Sequence, residues 1–92
     1  MIQKYTVLFP FSFEEIDVFD DNVDVCLIFD TGEEETLLFG TPKNKKRFPD
    51  VEMVLVHKLT PKRIIRKLKK IMAPKSLERI ETIQERWYGM DN

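Results

Sequence analysis

Cys26 and His57 are the only thiol and the only imidazole in the chain, and a cysteine activated by a histidine is a competent nucleophile. Strand alternation separates them. In residues 23–30 Cys26 falls opposite the main apolar face, whereas in residues 51–58 His57 shares a face with Met53 and Leu55. Each therefore reads as a buried or half-buried structural side chain, since a free cysteine usually behaves as a small core residue. Asp20-Asp21-Asn22-Val23-Asp24 offers oxygen ligands at the first, third and fifth positions of a calcium loop. Such a loop needs glycine at its sixth position and a bidentate glutamate at its twelfth, places held here by Val25 and Thr31. The cluster reads as a solvated acidic turn. Zinc-type spacings of histidine and cysteine are absent, as is a phosphate-binding glycine loop. No metal or cofactor is expected.

Ile28-Phe29-Asp30-Thr31-Gly32 resembles the catalytic motif of the aspartic proteases, whose retroviral type is a chain of this size acting as a homodimer. In that family a small residue follows the glycine, because two carboxylates must approach closely enough to share one proton. Here Glu33, Glu34 and Glu35 follow, and only Gly32, Gly40 and Gly89 are available for a flap. Asp30-Thr31-Gly32 accordingly reads as a hairpin turn, and the chain is read as a protein that is not an enzyme.

Positive charge is the most informative chemistry. Lys62, Arg63, Arg66, Lys67, Lys69 and Lys70 crowd into one segment, with no acidic residue between Thr60 and Ser76. Lys43, Lys45, Lys46 and Arg47 extend that patch if their loop lies alongside. Three readings compete: a nucleic-acid interface, a docking face for an acidic protein, and a solvated surface. RNA recognition calls for aromatics beside the charges, and the nearest are Phe48, Trp87 and Tyr88. Membrane binding is not expected, because the segment has a single apolar stripe and the fold needs it.

The elements that must position these residues follow from periodicity. Residues 2–9 are rich in strand formers and end at Pro10, beyond which Phe11 and Phe13 suggest a bent continuation. Residues 16–19 alternate, and Asp20-Asp21-Asn22 turns the chain. Val23, Val25, Leu27 and Phe29 form one face of the best strand, and residues 30–33 turn it into a returning strand at Thr36–Phe39. Residues 40–49 read as a loop and 51–58 as a further strand. The period then changes. Thr60-Pro61 is a helix start, with Ile64, Ile65, Leu68, Ile71 and Met72 at helical spacing up to Pro74. Ser76 caps a second helix carrying Leu77, Ile80, Ile83 and Trp87. Strands first and helices last predict an α+β fold: an antiparallel sheet of about four to five strands, built from β-hairpins over residues 2–58. Two C-terminal helices, 61–73 and 76–88, are expected on one face, burying Leu68, Ile80 and Ile83.

The 92-residue, 11.0 kDa chain suits a single domain over 1–92, able to bury a modest core. One cysteine allows no internal disulfide, which fits a reducing compartment. The longest apolar run, Val25–Phe29, is far short of a membrane span, and the start of the chain lacks a secretory pattern. A cytoplasmic location is expected. The net charge of −1 conceals a split: residues 1–36 hold ten acidic residues and one basic, residues 37–92 fourteen basic and six acidic.

Phe19-Asp20-Asp21-Asn22-Val23-Asp24-Val25, with Thr41-Pro42-Lys43-Asn44 downstream of Gly32, resembles a group of small bacterial α+β proteins, some in toxin-and-immunity or phage-borne gene sets. The resemblance covers about half of the chain, its motifs are structural, and it implies a protein partner without assigning site residues. The sequence thus favours a non-catalytic interaction domain that binds a protein by charge complementarity. The alternative is a nucleic-acid-binding regulator using helix 60–75 and loop 43–47; a homodimer is compatible with either.

Overall fold

A computed structural model describes residues 3–82 of the chain. They form strands β1 (Lys4–Phe9), β2 (Asn22–Phe29) and β3 (Glu34–Gly40), helix α1 (Pro42–Arg47), strand β4 (Val54–Leu55), helix α2 (Pro61–Met72) and strand β5 (Ser76–Thr82). One sheet of order β4-β3-β2-β1-β5 contains all five strands. Antiparallel pairing joins β1 to β2 and β2 to β3, whereas β4 runs parallel to β3 and β5 parallel to β1. The α+β class is as expected, but the sheet is mixed. Only β2 opposes the other four strands.

The β2–β3 hairpin follows the sequence closely. Val23, Val25, Leu27 and Phe29 are all buried, and Gly32 takes a φ of +92° that side-chain-bearing residues rarely adopt. Phe29 N–H donates to the Glu33 carbonyl and Gly32 N–H to the Phe29 carbonyl, each at 2.9 Å. Asp30, the acid of the protease-like motif, lies in this turn, accepting the Lys4 N–H at 3.3 Å.

Both helices begin at the same signal. Thr41-Pro42 and Thr60-Pro61 place a hydroxyl at the cap and a proline in the first turn. Each threonine oxygen accepts a backbone N–H at 3.3 Å, from Asn44 and from Arg63, a cap worth about 1 kcal/mol. In α2 the buried stripe is Ile64, Leu68 and Met72, four residues apart. Ile71, expected in that stripe, is exposed, because it falls about 100° around the helix from Met72. The stripe joins Tyr5, Val7, Phe9, Val25 and Leu27 in one core.

Several expectations are corrected. Residues 42–47 form α1 rather than loop. Residues 16–19 are not a strand: Asp17 accepts the Phe19 N–H at 3.0 Å, and Leu59 N–H donates to the Val18 carbonyl at 2.8 Å. Phe11 and Phe13 do not continue β1. They fold back on Phe9, with ring centroids 5.8 and 5.1 Å from it, into a 3₁₀ turn at Phe13–Glu15. Of residues 51–58 only Val54–Leu55 pairs, and Val56 rather than Leu55 or His57 enters the core.

The expected second helix is the largest correction. Ser76–Thr82 is a strand, so the two helices are not both C-terminal; residues 83–88, with Ile83, lie outside the described residues. Tyr5 pairs with Leu77, Thr6 with Arg79 and Val7 with Ile80. Glu78 is therefore the extra residue of a β-bulge, which puts Leu77 and Ile80 on one face three residues apart, a spacing that mimics a helix. Ile80 is not buried but 46% exposed.

Leu68 is fully buried, so Leu68→Ala should lower stability by about 2–5 kcal/mol, read from the urea midpoint. Tyr5 offers the opposite case. Its hydroxyl is buried without a hydrogen-bond partner among the described residues, and burial raises its pKa above the ordinary value. Tyr5→Phe should be neutral or stabilising by up to about 1 kcal/mol. Below a pH of about 10 the phenol is neutral in both states; above it the unfolded chain ionises first, and wild-type stability falls. The Tyr5→Phe chain should lack that alkaline component, so urea titrations from neutral to alkaline pH should diverge.

Candidate binding surface on helix α2

The helix that closes the core also carries the charge. Lys62, Arg63, Arg66, Lys67, Lys69 and Lys70 all lie on the exposed side of α2, and none makes an ion pair among the described residues. The apolar stripe against the sheet forces this arrangement, since the remaining helix circumference must face water.

Two hollows flank α2, and Arg66 borders both. On the β4 side, a hollow of about 140 Å³ is lined by Leu55, Val56 and His57 with Arg63, Arg66, Lys67 and Lys70. On the β5 side, a groove of about 370 Å³ is lined by Pro61, Ile65 and Ile80 with Lys62, Arg66 and Lys69. Neither lining includes a carboxylate. Both linings include aliphatic side chains, and in the larger groove these are Ile65 and Ile80, between the cations. The contribution of Ile80 escaped the sequence reading, which placed that residue in a helix; only the bulge spacing could have revealed it.

Two of the four loop cations, Lys45 and Arg47, are engaged within the fold. Lys45 Nζ donates to the carbonyls of Pro49 and Val51 at 2.9 and 2.6 Å, closing the turn after α1. Arg47 pairs with Asp20 at 2.7 Å, and the Asp20 side chain is only 7% exposed. Lys43 and Lys46 are exposed. Lys45 lines a third hollow, with Thr36, Leu38, Glu52 and Met53, and no loop cation lines either hollow beside α2.

The acidic turn and the Thr41–Asn44 segment are brought together. Asn22 Nδ2 donates to Asn44 Oδ1 at 2.6 Å, and Thr41 N–H donates to the Asp21 carbonyl at 3.3 Å. Asp21 also accepts the Asn22 and Asp17 N–H groups at 2.8 and 3.3 Å. By strand alternation Asn22 faces away from Val23 and the α2 side, so α1 meets the sheet from the opposite face. Gly40, at the end of β3, leaves room for Met53, whose side chain occupies the place a Cβ would take.

The possible nucleophile pair is not assembled. Cys26 Sγ lies 3.8 Å from Thr36 Oγ1, while the exposed His57 meets Phe19, with ring centroids 6.4 Å apart. Among the described residues no group of histidine, cysteine and carboxylate side chains is disposed to hold a metal ion, and no helix is long and apolar enough to cross a membrane.

Arg47→Gln should strand the Asp20 carboxylate, whose Oδ1 has no partner among the described residues. A loss of about 1–3 kcal/mol in urea stability is expected. Replacing Lys69 and Lys70 by Gln should move stability by no more than about 0.5 kcal/mol.

No family model matches the chain, and no curated protein or solved structure matches it either.

Proposed function

We propose that the protein is a non-catalytic interaction domain that binds an acidic protein partner through the cationic face of α2. The observation that carries this reading is the absence of internal compensation: six exposed cations on α2 have no ion pair among the described residues. A solvated helix face more commonly mixes both signs, because opposite charges three or four residues apart stabilise it. This one forgoes that stabilisation over its whole length.

A protein partner is favoured over nucleic acid by the aliphatic floor of the larger groove. Ile65 and Ile80 offer nothing to a phosphate, and no aromatic ring lines the larger groove for a base to stack on, His57 being the one ring at the smaller hollow. The resemblance to small bacterial α+β proteins, some of them in toxin-and-immunity or phage-borne gene sets, implies the same kind of partner. Charge of this kind accelerates encounter more than it deepens affinity.

Titration of the full chain with poly-glutamate and with single- and double-stranded oligonucleotides, at two salt concentrations, tests the proposal. Poly-glutamate should bind, with an association rate that falls with salt and falls again in the Lys69→Gln, Lys70→Gln variant. Oligonucleotides should bind no tighter than about 10⁻⁴ M at physiological salt. Tighter oligonucleotide binding, with log affinity falling by about 0.7–0.9 per contact against log salt, would replace this reading with the nucleic-acid one. Indifference to both polyanions would leave only a solvated face.

A further inference from the structure

The groove between α2 and β5 combines three features that recur only in reduced form on the β4 side, where the edge strand has two residues and the hollow is about 140 Å³. The first is an open sheet edge. β5 pairs with β1 on one side and ends the sheet, so among the described residues no strand covers the outer edge of Ser76–Ile80. An uncovered edge presents backbone N–H and C=O groups to any extended chain. Edge strands are commonly blunted by proline, by a short run, by charges or by a bulge; Ser76–Ile80 has no proline, and its only such devices are the bulge at Glu78 and the charges of Glu78 and Arg79. The second is an apolar seat: Ile80, 46% exposed, projects on the core side of β5 and faces Ile65 and Pro61 across the groove. The third is the row of Lys62, Arg66 and Lys69 along the opposite wall.

We propose that this groove binds an extended acidic peptide segment as an added strand beside β5, with one aliphatic side chain seated between Ile65 and Ile80 and flanking carboxylates on Lys62, Arg66 and Lys69. The proposal rests on the protein-binding reading and specifies how such a partner is held. The spacing fits. Lys62 and Lys69 are separated by about 10 Å along the helix axis. In a strand, alternate residues face the same side, so carboxylates two positions before and after a central residue stand about 13 Å apart. That span lies within reach of the flexible lysine side chains. The occupant must be acidic, because the wall holds three cations and no carboxylate, and must carry an aliphatic group, because the floor between them is apolar.

The probe is a capped, fluorescein-labelled peptide reading glutamate, threonine, valine, threonine, glutamate, followed by anisotropy against the full chain. Substituting glutamine for both glutamates should weaken binding about tenfold at low salt, and glycine for valine should do so about tenfold through lost apolar burial. N-methylating alternate residues should abolish binding in one phase and spare it in the other, since only one set of N–H groups faces β5. Ile80→Glu should abolish binding. The Lys43→Gln, Lys46→Gln variant, altered on α1 where no side chain lines either hollow beside α2, should bind within about twofold of wild type, and the Lys67→Gln, Lys70→Gln variant should lose less binding than Ile80→Glu. Circular dichroism and urea midpoints confirm that each variant is folded.

The reverse pattern, with binding lost in the Lys67, Lys70 variant and kept in Ile80→Glu, overturns the groove while leaving the acidic-partner reading standing. So does poly-glutamate binding with equal indifference to valine and to N-methylation. A full chain that ignores the peptide because residues 83–92 or a second copy fill the groove also overturns it, the second copy being revealed by a concentration-dependent mass in light scattering. Failure of poly-glutamate as well removes both readings together.

Discussion

β4 and β5 stand at opposite edges of the sheet, and the chain connects them only through α2. The burial of Ile64, Leu68 and Met72 against β1 and β2 is therefore the contact on which the other features depend. Without it the three-stranded meander β1-β2-β3 would expose one apolar face. β4, with two residues, and β5, pairing only with β1 among the described strands, would have no reason to dock. Fully burying such side chains stabilises by about 1.5–3 kcal/mol each, which is large against the few kcal/mol that separate folded from unfolded states in so small a domain.

The same contact dictates where charge goes. Once one stripe of α2 faces the core, the remaining positions must be soluble, and here every charged one is a cation. Elsewhere the protein engages cations locally: Arg47 pairs with the Asp20 carboxylate, and Lys45 donates to backbone carbonyls of the chain beyond α1. The contrast separates two uses of one residue type. Cations with a partner inside the fold orient a loop, and cations without one are available to something outside it. That distinction, rather than the number of lysines, supports a docking role for α2.

Much of this was legible in the sequence, for identifiable reasons. The alternation of Val23–Phe29, the turn at Gly32 and the Thr60-Pro61 cap are local signals, and each is found where the pattern put it. Thr41-Pro42 carries the same cap, but α1 is six residues long and buries only Asn44, so no apolar periodicity announces it. β5 was hidden by its own bulge: with Glu78 left out of the pairing, Leu77 and Ile80 imitate a helical stripe. The parallel pairing of β1 with β5 is a long-range choice that no local propensity encodes. The candidate site divides in the same way. The cations of α2 are readable as a run, whereas the aliphatic floor needs β5 to be a strand, and the roles of Lys45 and Arg47 need the loop's geometry.

Residue-resolved amide hydrogen exchange across a series of sub-denaturing urea concentrations tests most directly whether α2 holds the sheet together. If the buried stripe is the central contact, the amides of Leu68 in α2, Val7 in β1 and Val25 in β2 should open with one common free energy equal to that of global unfolding. A result in which α2 and β5 exchange as a separate unit at lower free energy, with β1, β2 and β3 still protected, would contradict the account. The meander would then stand without its crossover helix.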